Sequence, residues 1–284
     1  MLMDLLSKAA TLAMLSFVVS SMLAMGAGLT VTRIIEPLRN VRLVLLALLA
    51  NFILMPLCAF ALAKVLGLDE PFGVGLLLLG CAAGAPFLPK LAELAKGNLA
   101  FAVGAMVLLM VVTVGYLPIV LPLLLPGTTV DPWQIARSLV LLMLLPLAAG
   151  LALKSYYESL ATRAKPVLDW ISNTSLILLV LLITAANIDK VLQVFGTFGI
   201  LAGVLFVALG VGIGWVFGGP DIDTKRVVAL GTAQRNIAAA LVVASQSFDD
   251  PKVVVMVIVV AIVGLIILMP LSRALAKSGF AQQN

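Results

Sequence analysis

Charged and polar side chains stand inside two apolar runs that are long enough to cross a membrane. The run VVALGTAQRNIAAALVVAS, residues 227–245, holds four of them at its centre: Thr232, Gln234, Arg235 and Asn236. A guanidinium at bilayer depth costs from about 2.5 to more than about 10 kcal/mol, so Arg235 needs a partner or a function. Its chemistry suits a fixed charge beside backbone carbonyls or a bidentate fork for a carboxylate.

Lys90 and Glu93 form a second charged group, in the run FGVGLLLLGCAAGAPFLPKLAELAKGN at residues 72–98. They are three residues apart, so on a helix they share a face and can neutralise each other. A desolvated Lys90 would instead bind and release a proton. For Arg235 the structural alternatives are an ion pair with Glu93 and a side chain that extends to the nearer membrane surface.

Both runs contain residues that interrupt a helix. Gly84, Pro86 and Pro89 fall near the middle of the first, and Gly231 lies at a comparable depth in the second. Each proline removes a backbone donor, and the glycines let the chain turn. Interrupted helices are tolerated in a membrane where they are buried in protein or line a wet cavity. Two of them in corresponding positions indicate the binding site of a secondary transporter.

Uncharged polar residues complete the set of candidates for substrate or ion contacts. They are Asn51, Thr232, Gln234 and Asn236, with Thr113 and Tyr116 as weaker candidates in the helix after the first interruption. Hydrogen bonds between helices are the structural alternative for all of them.

The elements that position these residues follow from composition. The chain has 284 residues, 63% hydrophobic and 11% charged, whereas soluble domains carry about 25% charged residues. Apolar runs long enough to span a bilayer recur along its whole length. The sequence therefore predicts an all-α polytopic membrane protein, one transporter domain over residues 1–284 in contact with the lipid bilayer. The first run, preceded by Asp4, is predicted to be a retained span rather than a signal peptide.

Hydropathy predicts nine transmembrane helices. Their predicted bounds are Leu6–Val31, Val41–Leu66, Phe72–Ala95, Leu99–Leu125, Ile135–Leu153, Val167–Ile188, Phe195–Phe217, Val227–Val243 and Val253–Leu271. Lysine and arginine concentrate after the odd-numbered spans, and the opposite side carries only Lys8, Lys64, Arg137, Lys190 and Lys252. This bias predicts a cell inner (plasma) membrane protein with its N-terminus outside and its C-terminus in the cytoplasm.

Several functional classes lack the residues that they need. There is no histidine, and Cys58 and Cys81 stand singly in apolar runs, which excludes a Cys/His zinc site, a haem site or a Cys–His nucleophile. The basic residues lie at the ends of spans rather than in a patch with aromatics, so nucleic acid is not an expected partner. No carboxylate pair or metal-ligand cluster sits at one depth, so no enzyme and no metal site is predicted. No cofactor is predicted other than sodium or a proton as coupling ion.

The two interrupted runs are followed by similar segments. Each leads through a short polar turn into a long apolar span that ends near a proline followed by leucine. Because an odd number of crossings separates the two units, they are oppositely oriented, which predicts an inverted repeat. The halves hold four and five spans, as expected if one helix of a five-plus-five ancestor is missing.

Three motifs resemble those of a known transporter family: NFILMP at residues 51–56, GCAAGAPFLPKLAELAKGN at 80–98 and GTAQRNIAAAL at 231–241. In order and spacing they are similar to the bile acid:sodium symporter family, over essentially the whole chain. The resemblance implies the nine-helix variant of a ten-helix fold, with two discontinuous helices that cross at the membrane centre. It also implies a core domain, spans at about 41–125 and 195–272, and a panel domain, spans at about 6–32 and 133–188.

The family's sodium sites are substituted in this sequence. At the first site, the positions that carry oxygen ligands in sodium-coupled members match Leu88, Pro89, Ala102, Met106 and Ala229. At the second site Asn51 matches a glutamine, and Gln234 and Arg235 stand for a Gln-Asn pair. Sodium needs oxygen ligands without nearby cations, and Lys90 and Arg235 are placed at the two crossings. The comparison predicts weakened or absent sodium coupling, with Arg235 in place of an ion.

The resulting prediction is a secondary transporter of a small organic anion that works by alternating access. Two cationic residues at the predicted site and the family's usual substrates indicate the anion. The alternatives are a sodium-coupled anion symporter with a residual site, an arsenite-type carrier that uses Cys81, a cation/proton carrier, and a non-transporting membrane receptor or assembly subunit.

Overall fold

The computed structural model describes residues 2–35, 39–125, 131–186, 188–189, 194 and 196–278, and no strand occurs among them. The predicted all-α fold is confirmed. The α-helices are α1 (Leu2–Gly28), α2 (Val31–Ile35), α3 (Val41–Leu49), α4 (Met55–Val65), α5 (Glu70–Cys81), α6 (Leu88–Leu94), α7 (Leu99–Leu124), α8 (Pro132–Leu139), α9 (Leu145–Tyr156), α10 (Glu158–Ala186), α11 (Gly199–Phe217), α12 (Ile222–Ala233), α13 (Ile237–Ser247) and α14 (Pro251–Ser278).

The described part of the chain contains eight helical segments long and apolar enough to cross a membrane. They account for every predicted span except the third, which is divided. Its first part, α5, is apolar but has 12 residues, about 18 Å of helix, and α6 follows after a break. The polytopic membrane architecture is confirmed, and the count differs from the predicted nine because of this division.

One boundary differs clearly from the hydropathy pattern. α10 begins at Glu158 rather than at Val167 and runs through Pro166. The pattern misses its first turns because they carry several charged residues and extend beyond the apolar part of the helix. The predicted start of span seven, Phe195, and the topology residue Lys190 lie outside the described residues.

Two spans contain a turn of π-helix beside a proline. Residues Ala50–Leu54 join α3 to α4, whose second residue is Pro56. Residues Val140–Leu144 join α8 to α9, whose second residue is Pro146. Proline has no N–H and its ring crowds the preceding turn, so carbonyls before it lose their helical donors. The first of these turns faces the two broken helices.

α1 packs against α9 and α10. Gly26 of α1 faces Gly150 of α9, and a Cβ on Gly26 would lie 2.2 Å from the carbonyl oxygen of Leu147. Ser175 of α10 donates a hydrogen bond to Ser16 of α1 at 2.9 Å. Small residues and interhelical hydrogen bonds are the usual means of joining membrane helices. These three helices therefore form one tightly packed group.

Span eight, which consists of α12 and α13, is enclosed by α5, α6, α7, α8, α11 and α14 and also contacts α1. Gly210 and Gly214 of α11 face Ala233 and Ala229 of α12, and a Cβ on Gly214 would lie 2.4 Å from the carbonyl oxygen of Val228. This close approach of α11 and α12 lets the surrounding helices pack over the span, and 94% of its most apolar 18-residue stretch is buried in protein. Arg235 in the middle of this span therefore faces protein rather than lipid.

Adding one methyl group to Gly214 is expected to destabilise the fold. In Gly214→Ala the new Cβ must displace the backbone of α12, and overpacking of this kind costs about 1–3 kcal/mol. The matched control is Gly212→Ala, because a Cβ on Gly212 meets nothing within 4 Å. Thermal unfolding of the purified variants should show a lower midpoint for Gly214→Ala alone. Equal midpoints would show that α11 and α12 are not in backbone contact.

Candidate functional site

The first interruption lies between α5 and α6, at residues 82–87. Gly84 has a φ of 79°, and a Cβ on it would lie 2.2 Å from the backbone nitrogen of Met110. Only glycine suits both the left-handed conformation and this approach to α7. Pro86 lies in the turn that follows, so the predicted break at these two residues is confirmed. Pro89 belongs to the first turn of α6, where proline is tolerated.

The second interruption lies between α12 and α13, later than predicted. α12 continues through Gly231 to Ala233, and Gln234 is extended. Asn236 then starts α13, since its side-chain oxygen accepts the N–H of Ala239 at 3.1 Å. The prediction that Gly231 marks the break is wrong, because a helix accommodates one glycine and the capping asparagine decides where the next helix begins.

The two interruptions cross and are hydrogen-bonded to each other. The backbone N–H of Asn236 donates to the carbonyl of Ala82 at 2.9 Å, and its side-chain nitrogen donates to the carbonyl of Gly84 at 3.1 Å. The Thr113 hydroxyl accepts from the N–H of Ala83 at 2.9 Å and donates to the carbonyl of the same residue at 3.1 Å. Asn236 and Thr113 therefore satisfy backbone groups that the break in α5–α6 leaves without helical partners.

Arg235 lies at this crossing and is 4% exposed. Its Nε donates to the carbonyl oxygen of Leu79 at 2.8 Å, and its Nη2 donates to that of Gly80 at 2.7 Å. Its Nη1 donates to the carbonyl oxygen of Thr232 at 3.1 Å. These carbonyls belong to the last turns of α5 and α12, where a helix dipole has its negative end. One guanidinium therefore neutralises the carbonyl ends of both half-helices.

Asn51 supplies the remaining partners of Arg235. Nη1 donates to its side-chain oxygen at 2.6 Å, and Nη2 donates to its backbone carbonyl at 3.3 Å. Together with the three helix carbonyls, these bonds use all five N–H donors of the guanidinium. The expected alternatives of an ion pair with Glu93 and of extension to the membrane surface are both wrong, because the five acceptors are neutral oxygens and the side chain is buried.

Pro56 explains why the Asn51 carbonyl is available to Arg235. In the π turn the N–H of Met55 donates to the carbonyl of Ala50. The next donor along the chain would come from Pro56, which has no N–H. The Asn51 carbonyl is therefore free for another partner. The NFILMP motif contains this proline five residues after Asn51, but its role is not predicted from the sequence.

Further hydrogen bonds tie span two to its neighbours. The side-chain nitrogen of Asn51 donates to the Thr232 hydroxyl at 3.2 Å and to the carbonyl of Ala47 at 2.9 Å. The Tyr116 hydroxyl donates to the carbonyl of Phe52 at 2.5 Å, and the two rings have centroids 4.9 Å apart. Asn51, Thr232 and Tyr116 thus form hydrogen bonds between helices.

Lys90 and Glu93 do not take part in this network. They form an ion pair with each other at 2.8 Å on α6, with side chains 54% and 61% exposed. The structure therefore contains the mutual neutralisation that their spacing allows. Neither residue is a partner of Arg235, so the two predicted cationic residues are not brought to one site.

Gln234 faces a small cavity beside the crossing. The residue is 4% exposed, and no hydrogen bond among the described residues involves its amide group. The cavity is lined by Gln234, Arg235 and Ile237 together with residues of α5, α11, α12 and α14: Leu79, Val207, Ala233, Val260, Ala261 and Gly264. The first N–H groups of α13 lack helical acceptors. The cavity thus combines an amide and a helix N-terminus with mostly apolar walls.

The other reactive side chains that the structure describes do not form a site. Cys81 is buried and Cys58 is half-buried, and both are free thiols. Within the described ranges no group of three or more His, Cys, Asp or Glu side chains could hold a metal ion.

The sequence profile of the Sodium Bile acid symporter family matches residues 14–194, well over half of the 284 residues. This region includes the π turn with Asn51 and the whole first interruption. The chain belongs to the sodium bile acid symporter family.

Curated relatives in the sodium bile acid symporter family share about a quarter of their residues with the chain. The probable chloroplastic sodium/metabolite cotransporter BASS1 of Arabidopsis thaliana is 28% identical over 239 residues, 80% of this chain and 58% of that protein. The uncharacterized sodium-dependent transporter YocS of Bacillus subtilis is 27% identical over 245 residues, 80% of this chain and 72% of that protein. The chain therefore spans little more than half the length of the plant relative. Family membership and the long apolar helices together make it a multi-pass membrane protein.

Replacing Arg235 by lysine is expected to destabilise this member of the sodium bile acid symporter family. An ammonium has three donors, so at least two of the five oxygens lose their partner. Each buried acceptor left unpaired costs about 1–3 kcal/mol, and we expect Arg235→Lys to lose about 2 kcal/mol or more. The control is Lys90→Ala, since an exposed ion pair contributes about 0–1 kcal/mol. If both variants unfold at the same temperature, the five hydrogen bonds do not stabilise the crossing.

Proposed function

We propose that the protein is a secondary transporter of a small organic anion, that it works by alternating access, and that it does not require sodium. The observation that carries the proposal is the bonding of Arg235 to both half-helices and to Asn51. A mobile cation at this position would supply positive charge only while bound. The arginine supplies it at every stage of transport.

A sodium ion has no place beside this guanidinium. Two like charges about 4 Å apart repel by about 4 kcal/mol at an effective dielectric constant of about 20. The oxygens that would coordinate the ion already accept N–H bonds from Arg235. Sodium binding at the second family site would require this side chain to leave.

The residues at the positions that match the first family site also lack the groups that bind sodium. Leu88, Ala102 and Met106 are buried in one apolar cluster, and Ala229 is buried against Gly214. These side chains carry no oxygen, and a hard cation needs oxygen ligands. Neither family site then has the ligands that a sodium ion requires.

The cavity beside Gln234 is the proposed anion site. Arg235 lines the cavity but has no spare N–H for a bidentate contact, so it contributes only its positive charge. The Gln234 amide and the first N–H groups of α13 are the donors left for a carboxylate, and a helix N-terminus favours a negative charge. The side chains of Val207 and Val260 give the cavity apolar walls, and because its volume of about 10 Å³ holds no more than one water molecule, the surrounding helices must move apart to admit a carboxylate.

The proposed moving parts are a panel domain of α1, α8, α9 and α10 and a core domain of the remaining long helices. Support comes from packing: α1 packs mainly against α9 and α10, whereas α12 and α13 pack mainly against α5, α6, α7, α11 and α14, and α8 contacts α7 and α13 at the boundary between the two groups. All partners of Arg235 lie on α5, α12 and the π turn of span two. The charged network would therefore move with the core as one unit.

The proposed location is the plasma membrane, with the N-terminus outside and the C-terminus in the cytoplasm. The basic residues Arg39, Arg42, Arg273 and Lys277 support this orientation, because they are exposed at helix ends that the alternation places on one side.

One alternative is favoured by the relatives, which are named as sodium-dependent transporters or sodium/metabolite cotransporters. In that alternative a residual site near Asn51 and Gln234 binds sodium together with the anion. Proton transfer by Lys90 has less support, because that side chain is exposed and paired with Glu93. The proposed function and this alternative differ in whether binding of the anion depends on sodium.

Thermal-shift measurements with a series of small mono- and dicarboxylates test the proposal. At least one of them should stabilise the purified protein equally in NaCl and in KCl of the same ionic strength. Gln234→Leu should abolish that stabilisation, because the amide donor is lost and the cavity becomes fully apolar. Lys90→Ala, the control, should leave it unchanged.

Two outcomes would contradict this account. A carboxylate response that disappears in KCl would support the sodium-coupled alternative. A response that survives both Gln234→Leu and Arg235→Ala would show that the anion site lies elsewhere.

A further inference from the structure

Spans two and five contain the same backbone interruption, a π turn followed by a proline. In span five the N–H of Leu145 donates to the carbonyl of Val140. The next donor along the chain would come from Pro146, which has no N–H, so the carbonyl of Leu141 is left without a helical partner. Asn51 has the same position in the π turn of span two.

The two turns differ in the side chains that hold them. In span two the Asn51 carbonyl accepts a hydrogen bond from Arg235 at 3.3 Å, and the Phe52 carbonyl accepts one from Tyr116 at 2.5 Å. In span five no side chain among the described residues donates to the carbonyl of Leu141. Bending at this turn therefore breaks no side-chain hydrogen bond, whereas bending in span two would break two.

The first half of span five, α8, is bound to helices of the proposed core domain. It packs against α7 and α13. The side-chain nitrogen of Gln134 donates to the backbone carbonyl of Gln246 in α13 at 3.3 Å, and the Ser138 hydroxyl donates to the side-chain oxygen of Gln246. Ile135 and Leu139 of α8 are buried. Both hydrogen bonds and apolar packing thus join α8 to the core.

The second half of span five, α9, is bound to the proposed panel domain. It packs against α1 and α10, and the π turn itself contacts α1. A Cβ on Gly150 of α9 would lie 2.4 Å from the carbonyl oxygen of Leu23 in α1. Such close backbone contact is typical of stable pairs of membrane helices. The partners of span five therefore change from core to panel at the π turn.

We propose that the π turn Val140–Leu144 is a hinge at which span five bends when the panel and core domains move, so that α8 moves with the core and α9 with the panel. The proposal rests on the proposed alternating-access function and refines its domains, in which all of span five belonged to the panel. The alternative is that span five moves as one rigid helix and the joint precedes α8. The turn in span two is not a second hinge, because Arg235 and Tyr116 hold it.

Distances between three exposed positions test the hinge: Leu12 of α1, Val65 of α4 and Arg137 of α8. They are replaced by spin-labelled cysteine two at a time, in a Cys58→Ala/Cys81→Ala background of the full chain in lipid nanodiscs. Pulsed electron paramagnetic resonance is recorded with and without small mono- and dicarboxylates. The distances from Leu12 to Val65 and from Leu12 to Arg137 should each show two populations. The distance from Arg137 to Val65 should show one.

The outcomes separate the hinge from the proposed function. A second population for the distance from Arg137 to Val65 would show that α8 does not move with the core, which overturns the hinge while alternating access stands. A single population for the distance from Leu12 to Val65 in every condition would contradict alternating access, and the hinge with it.

Pro146→Ala provides a second measurement. The substitution supplies the missing N–H for the carbonyl of Leu141, so the ratio of the two populations should change about fivefold, the effect of one hydrogen bond. Pro166→Ala is the matched control, because Pro166 lies inside α10, which belongs wholly to the panel. Its ratio should equal that of the parent. If the two variants give the same ratio, the π turn is not the joint and the hinge is overturned.

Discussion

The buried guanidinium of Arg235 is the interaction on which the site depends. It is a charge at membrane depth with neutral oxygens as its partners, and five such oxygens accept its five N–H groups. The desolvation cost of the charge is offset by these bonds and by the negative ends of two helix dipoles. Removing the arginine would take away the donor that the last-turn carbonyls of α5 and α12 share.

The rest of the core arranges oxygens around that charge. The break after Cys81 and the end of α12 at Ala233 expose helix carbonyls, and the π turn before Pro56 frees another. Asn236 binds the two interruptions together, and the glycine face of α11 lets the core close over span eight. A charge that is covalently part of the chain does not leave during transport, which is why the proposed mechanism has no step that depends on sodium.

The sequence was sufficient for the features that depend on side-chain pattern. Hydropathy identified the membrane helices, Gly84 and Pro86 marked the first interruption, and the spacing of Lys90 and Glu93 allowed the ion pair that forms. It was insufficient for the partners of Arg235, because four of its five acceptors are backbone carbonyls, which every residue type supplies. Such acceptors become visible only when two distant breaks are brought together in space.

The second interruption shows a related limit. The sequence predicts the break at Gly231, whereas α12 ends at Ala233 and Asn236 caps the next helix. A capping residue and a glycine are both signals for a helix boundary, and local geometry decides between them. The most direct test of the central claim is the thermal midpoint of the wild-type protein without substrate, measured in NaCl and in KCl of equal ionic strength. The account predicts the same midpoint in both salts. A midpoint that rises specifically with sodium concentration would show that a cation still binds and that Arg235 does not replace it.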